Sequence, residues 1–150
     1  MMKTHAPRLA VRAVILQDNR LLMVNAWKTG SDLLCAPGGG VEPHASLPDN
    51  LRREVREETG LEIEVGPVCL VNEFHAPERR FHQVDVYFRA QVTSGTLDPD
   101  WRDPEGIVTR RYWLTRAELM AARFKPDSLP AVAWGDPGAP GYDPLEPLLR

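Results

Sequence analysis

The chain has 150 residues, 43% of them hydrophobic and 26% charged, with a formal net charge of -3. This suits one globular domain with a real core and is too short for two ordinary domains. The weak negative charge excludes general attraction to nucleic acid or an anionic membrane surface, so a bound nucleotide has to be held locally.

In chain order, "LAVRAVILQ" (Leu9–Gln17) is apolar apart from Arg12, the pattern of a strand buried on both faces. Asp18–Asn19 suits a tight hairpin turn, with "RLLMVNAW" (Arg20–Trp27) returning as the antiparallel partner. "LLCAP" predicts a short strand leading into a flexible loop of three glycines, Gly38, Gly39 and Gly40. Ser46 is a good N-cap, with Asp49 closing a capping box, so a helix is expected from Leu47 to Thr59, stopped by Gly60. "LEIEV" reads as a strand broken at Gly66–Pro67 and resumed in "VCLVNEF". "HQVDVYFRAQV" (His82–Val92) alternates, placing Val84, Val86 and Phe88 on one face and Asp85, Tyr87 and Arg89 on the other. "VTRRYWL" is a further strand, and Thr115 with Glu118 opens the helix "TRAELMAARF" by a capping box.

From Pro126 onward the chain is proline-rich, which rules out long helices and central strands. Residues 126–150 are expected to form an arm that lays Leu129, Val132, Trp134 and Leu145 on the domain of residues 1–125, or on a partner subunit in a homodimer. Strands on both sides of a helix, in mixed order, give an α/β class: an α/β/α sandwich around a mixed β-sheet. Cys35 and Cys69 form neither a disulfide framework nor a metal-ligand spacing. The N-terminal stretch lacks a signal-peptide pattern and no apolar run is long enough to span a bilayer, so a cytoplasmic location is expected.

The central helix carries the chemistry. At about 100° per residue, Leu47, Leu51 and Val55 define its buried side, Glu58 points almost with them, and Glu54 lies beside them. Arg52 and Arg56 turn away. A run such as "RREVREE" is usually a solvated face, but a solvated face does not point its carboxylates at the leucines. Arg53 can reach Glu57 one turn on, yet one arginine does not neutralise Glu54, Glu57 and Glu58. Carboxylates at the rim of a core need a cation, and a hard divalent ion suits clustered oxygens. Next to the glycines, the pattern suits Mg²⁺, with Mn²⁺ as the alternative, at a pyrophosphate.

Residues Gly39 to Leu61 resemble the Nudix box, G-x5-E-x7-R-E-U-x-E-E-x-G-U with U aliphatic, and "REVREETGL" matches its second half completely. The first glutamate of that pattern falls at Ala45, so weakened or altered metal binding is expected. The resemblance implies the Nudix fold and a Mg²⁺-dependent pyrophosphohydrolase. Its substrate is a nucleoside diphosphate linked to another moiety, such as ADP-ribose, a nucleotide sugar or an NTP-like compound. The alternative is a nucleotide-binding Nudix domain with little catalysis. It also implies Glu57 and Glu58 as principal metal ligands, supported by the Gly39 carbonyl and Glu54, with Arg53 orienting Glu57. The general base is then Glu54 or an acid from a distant loop, such as Glu105 in "RDPEG".

The substrate's remaining contacts are expected from the glycines and from Arg79, Arg80 and Phe81 in "NEFHAPERRFHQ", a mixture able to stack a base and pair with phosphate. An ordinary solvated hairpin tip fits that segment equally well. Trp27 and Lys28 can touch substrate too, though a rim Trp beside a solvated Lys is the simpler account.

Overall fold

A computed structural model describes residues 5–150; the reading of the N-terminus at residues 1–4 lies outside the described residues. Strand β1 (Arg8–Gln17) turns at Asp18 and Asn19, with φ of 51° and 61°, into β2 (Arg20–Asn25). Two positive φ values in succession match the twist of a two-residue hairpin. The short strands β3 (Leu34–Cys35) and β4 (Gly38–Gly40) follow, then helix α1 (Leu47–Thr59). The long hairpin of β5 (Glu62–Ala76) and β6 (Phe81–Ser94) is joined by a 3₁₀ turn at Pro77–Arg79. Strand β7 (Arg111–Leu114), helices α2 (Arg116–Met120) and α3 (Leu129–Trp134), and the edge strands β8 (Gly141–Tyr142) and β9 (Glu146–Pro147) complete the chain.

The strand order is β3-β2-β1-β6-β5-β8, with β4 on β1, β7 on β2 and β9 on β5. Parallel pairing of β1 with β6, and of β5 with β8 and β9, makes the sheet mixed. Successive side chains alternate between its faces. Val11, Ala13 and Ile15 meet Leu51 and Val55 of α1 on one face. Val14, Leu21, Met23 and Leu70 meet Leu119, Leu129 and Ala133 of α2 and α3 on the other. The result is the expected α/β/α sandwich. No helix among the described residues is long and apolar enough to cross a membrane.

Several local expectations change. The glycines form a strand, not a loop, because β1 offers them a free edge along Ala10–Arg12. Gly66–Pro67 does not break β5; the ladder shifts register there, and a bulge removes the need for the proline's missing N–H. Ser46 Oγ accepts from Asp49 N at 3.1 Å, but the Asp49 carboxylate turns to Arg52, so only half of a capping box forms. At Thr115 both halves are present, yet α2 ends at Met120, earlier than its sequence pattern suggests. In the last segment Leu129 is fully buried and Val132 and Trp134 pack at the core's margin, whereas Leu145 is 43% exposed. Proline confines β8 and β9 to two residues each on the outer edge of β5.

Candidate active site

Helix α1 delivers its carboxylates as its sequence period requires. Ser46 caps its start, and Gly60 closes it at φ 76°, donating to the Arg56 carbonyl. Trp101 fixes the same end by donating from Nε1 to the Glu57 carbonyl at 2.8 Å. Glu54 and Glu58 are buried, while Glu57 is half-buried at the rim.

Carboxylate oxygens of Glu54, Glu57 and Glu105 lie within 4.8 Å of one another. Glu105 reaches this cluster from a loop between β6 and β7 that is organised by Asp103. The Asp103 carboxylate accepts from the backbone N–H groups of Glu105, Ile107 and Val108 at 2.9–3.2 Å. An aspartate bonding its own following backbone is a turn device, and here it presents an acid to a helix some fifty residues earlier. The donor set is hard oxygen throughout, which fits Mg²⁺ or Mn²⁺.

Arg53 is the hub of the cluster. Its nearest carboxylate is Glu54, at 2.9 Å, with Glu42 at 3.7 Å and Glu57 at 3.8 Å. It also donates to Asn50 Oδ1 and to the Gly40 carbonyl. Its main work is thus on Glu54 and the glycine strand; the expected partner, Glu57, comes third. Ala45 is exposed, and nearby Glu42 already contributes a carboxylate to Arg53.

Glu58 departs from the expected ligand set. Its carboxylate lies outside the cluster of three and accepts from the Gly38 N–H at 3.4 Å beneath the glycine strand. Burial pushes its carboxyl up to about 8, against the pull of the Arg12 guanidinium. Burial also raises Glu54, against Arg53. Both shifts follow first from loss of solvent in this corner, with neighbouring carboxylates adding a smaller push in the same direction.

Gly39 differs as well. The bonds Ala13 N to Pro37 O and Val41 N to Leu9 O bracket the Val11–Gly39 pair, so ladder alternation commits the Gly39 amide and carbonyl to Val11. Gly38 and Gly40 turn their carbonyls out, to Arg12 and Arg53. What Gly39 contributes is its missing side chain: a Cβ would stand 2.5 Å from Glu54 Oε2. Gly38 has φ 152°, and a Cβ there would meet the Val11 carbonyl at 1.9 Å. Glycine thus lets β4 lie this close to β1 at Gly38 and leaves room for the Glu54 carboxylate at Gly39.

The cluster opens into a cleft of about 720 Å³. Its floor is the sheet face of β1, β6 and β5: Arg8 and Arg12, Gln83 and Asp85, Asn72 and Phe74. Gln83, Asp85 and Asn72 are each 2% exposed, so the polar face of β6 is buried as well as the apolar one. Each has a partner: Arg8 donates to Gln83 at 2.9 Å, Gln83 to Asp85 at 2.7 Å, Arg12 Nε lies 3.6 Å from Asp85, and Asn72 donates to Asp143 at 3.4 Å. Arg12, the lone charge within Leu9–Gln17, was the sequence signal for this floor. Arg79 and Phe81 line the cleft, with Phe81 against Phe74, whereas Arg80 is exposed and does not line it. Trp27 and Lys28 also line it, as do Glu146 to Leu149 of the last segment, which nothing in the sequence pattern singled out.

The NUDIX domain family matches residues 6–135, so the chain belongs to that family. Over 97 residues it is 32% identical to an ADP-ribose pyrophosphatase of Methanocaldococcus jannaschii, covering 61% of this chain and 54% of that protein. It is also 32% identical over 97 residues to diphosphoinositol polyphosphate phosphohydrolase 2 of Rattus norvegicus, covering 65% of this chain and 50% of the relative. The chain thus spans about half the length of the curated relatives it matches. Among solved structures, a NUDIX hydrolase from Nitrosomonas europaea superposes with a TM-score of 0.69 at 28% identity, covering 83% of this chain and 84% of that one.

Proposed function

We propose that the protein is a Mg²⁺-dependent pyrophosphohydrolase that cleaves a nucleoside diphosphate joined to another moiety, of the ADP-ribose, nucleotide-sugar or NTP-like kind. The observation that carries this reading is the convergence of Glu54, Glu57 and Glu105 beside a cleft that is large enough for such a ligand and is lined by Glu54, Glu58 and Glu105. Membership of a family with an ADP-ribose pyrophosphatase among its relatives supports it.

When bound, a divalent ion supplies charge neutralisation for the diphosphate and a lowered pKa for water. Glu54, Glu57 and Glu105 would hold it, and Mn²⁺ suits the same oxygens. Arg53 keeps Glu54 aimed while tying the helix to Gly40. Glu58 holds the glycine strand at Gly38, so it acts as a positioning residue. A proton leaving the attacking water is taken by Glu54 or Glu105, the former made more basic by its burial. Lys28 and Arg8 flank the cluster as cations for phosphate oxygens, and Arg79 and Phe81 meet the more distant part of the substrate.

The test is product release from a panel of nucleoside diphosphate derivatives with Mg²⁺, Mn²⁺ or EDTA. Activity should vanish in EDTA. Glu57→Gln should lower it at least about 100-fold, since even outer partners of a metal site cost 10- to 100-fold. Undiminished hydrolysis in EDTA would overturn the reading.

A further inference from the structure

The strand registers set a scale across the cleft floor. Arg8 pairs with Gln83, Gln83 with Phe74, and Phe74 with Glu146 of β9. Three strand spacings separate Arg8, beside the glycine strand, from Glu146, about 14 Å in all. The last segment is therefore the far wall of the cleft, opposite the carboxylate cluster.

That wall is fastened on both sides of Glu146. Asp143 donates its N–H to the Val71 carbonyl at 2.9 Å, and its carboxylate accepts from Ser128 at 2.7 Å. Beyond Glu146, Leu148 donates to the His75 carbonyl at 2.8 Å. Trp27 Nε1 then donates to the Leu149 carbonyl at 3.3 Å, and the Arg150 guanidinium lies 4.8 Å over the Trp27 ring. Glu146 is held in place, half-buried, with its carboxylate 3.3 Å from Lys125 Nζ.

Charge is distributed unevenly along this axis. Arg8 and Lys28, near the glycine strand and the Glu105 loop, have no carboxylate partner among the described residues and are available to a diphosphate. Lys125, at the far wall, is already answered by Glu146 and by the exposed Asp127. Arg79 stands on the exposed hairpin tip, where solvent screens it. Between these ends, the floor offers neutral or mutually neutralised hydrogen-bonding groups and the Phe74 ring.

We propose that Glu146 makes the far end of the cleft a site for an uncharged group, a nucleoside or a sugar, and rejects substrates that carry a further phosphate there. This rests on the pyrophosphohydrolase reading and names the substrate class within it. A phosphate at the wall would meet a fixed carboxylate of like charge beside a lysine already neutralised. Partial exposure limits the discrimination to roughly fivefold to tenfold.

Equilibrium binding at low ionic strength, with turnover measured separately, tests the proposal. The ligands are ADP-ribose and its two derivatives bearing one additional phosphate, on either ribose. In wild type, at least one phosphorylated derivative should bind more weakly than ADP-ribose. Glu146→Gln should improve that derivative relative to ADP-ribose by roughly fivefold, and which derivative improves identifies the half of the substrate lying over the floor. Lys125→Gln, which strips Glu146 of its cation, should move the ratio the other way. A pair that served only to hold the arm would shift both variants in one direction, and that result overturns the proposal. Unchanged ratios with ADP-ribose still hydrolysed overturn the proposal alone. The expected binding order without any turnover sustains the proposal and overturns the hydrolase reading. Failure of all three ligands to bind wild type overturns the proposal, and the hydrolase reading falls with it only if the wider nucleotide panel also releases no product.

Discussion

At the glycine-strand end of the cleft, Glu54 and Glu57 share Arg53 as their cation, with Glu105 close by; at the arm end, Lys125 faces Glu146 with a second acid, Asp127, in solvent. The first group is short of positive charge and half shut off from water, so it calls for a cation or for protons. The second pairs its half-buried acid with a lysine and leaves the other acid in solvent, so it calls for neither. The contrast teaches that acidic residues become a site through imbalance under burial, since balanced or solvated charges contribute little.

The way each end is held can be broken separately. Leu129→Ala removes a fully buried anchor of the last segment and should cost about 2–5 kcal/mol by denaturant unfolding. Leu145→Ala, 43% exposed, should change stability by less than about 0.5 kcal/mol. Similar losses in both would mean that the arm is anchored along its whole length.

Arg53→Ala should lower kcat/KM by about 10- to 100-fold, since it removes the partner that aims Glu54 and binds Gly40. Arg56, paired only with the exposed Glu62, provides the control; its substitution should leave activity unchanged and cost under about 1 kcal/mol of stability. Equal kinetic losses in both variants would show that the rim of α1, not its charge geometry, matters.

The imbalance has a pH signature. The Glu58 carboxyl ordinarily titrates near 4.5 and is pushed up to about 8 by burial, so the fold binds a proton that the unfolded chain releases. Its contribution is fully present below the unfolded value and is lost as pH rises through the folded one. In EDTA, the thermal midpoint of wild type should fall between about pH 5 and pH 8 more than that of Glu58→Gln does. Parallel curves would remove Glu58 as the cause.

The smallest effect is expected at Ala45. Ala45→Glu adds a carboxylate at an exposed position where Glu42 already reaches Arg53, so Mg²⁺ affinity measured by calorimetry without nucleotide should tighten less than about tenfold. A larger gain would show that Glu42 does not stand in for the absent glutamate.

What the chain determined by itself is what neighbours within one turn or one hairpin can decide. The Asp18–Asn19 turn, the span of α1 from Leu47 to Thr59, its Gly60 stop and the inward aim of Glu54 and Glu58 all depend on residues at most a few positions apart. The carboxylate pattern and its need for a cation were legible for that reason. Tertiary structure decided which of these acids meet. Glu105 joins Glu54 and Glu57 only because Asp103 folds its loop and the sheet brings that loop to α1. Glu58 turns under Gly38 because β4 takes the edge of β1. The polar face of β6 became a cleft floor because β1 pairs parallel beside it, setting Arg8 against Gln83 across 75 residues of chain. The arm lines the cleft because β5 had an open edge to receive it. Periodicity tells a strand which residues share a face, but only the pairing order tells that face whether it meets water, a helix or a substrate.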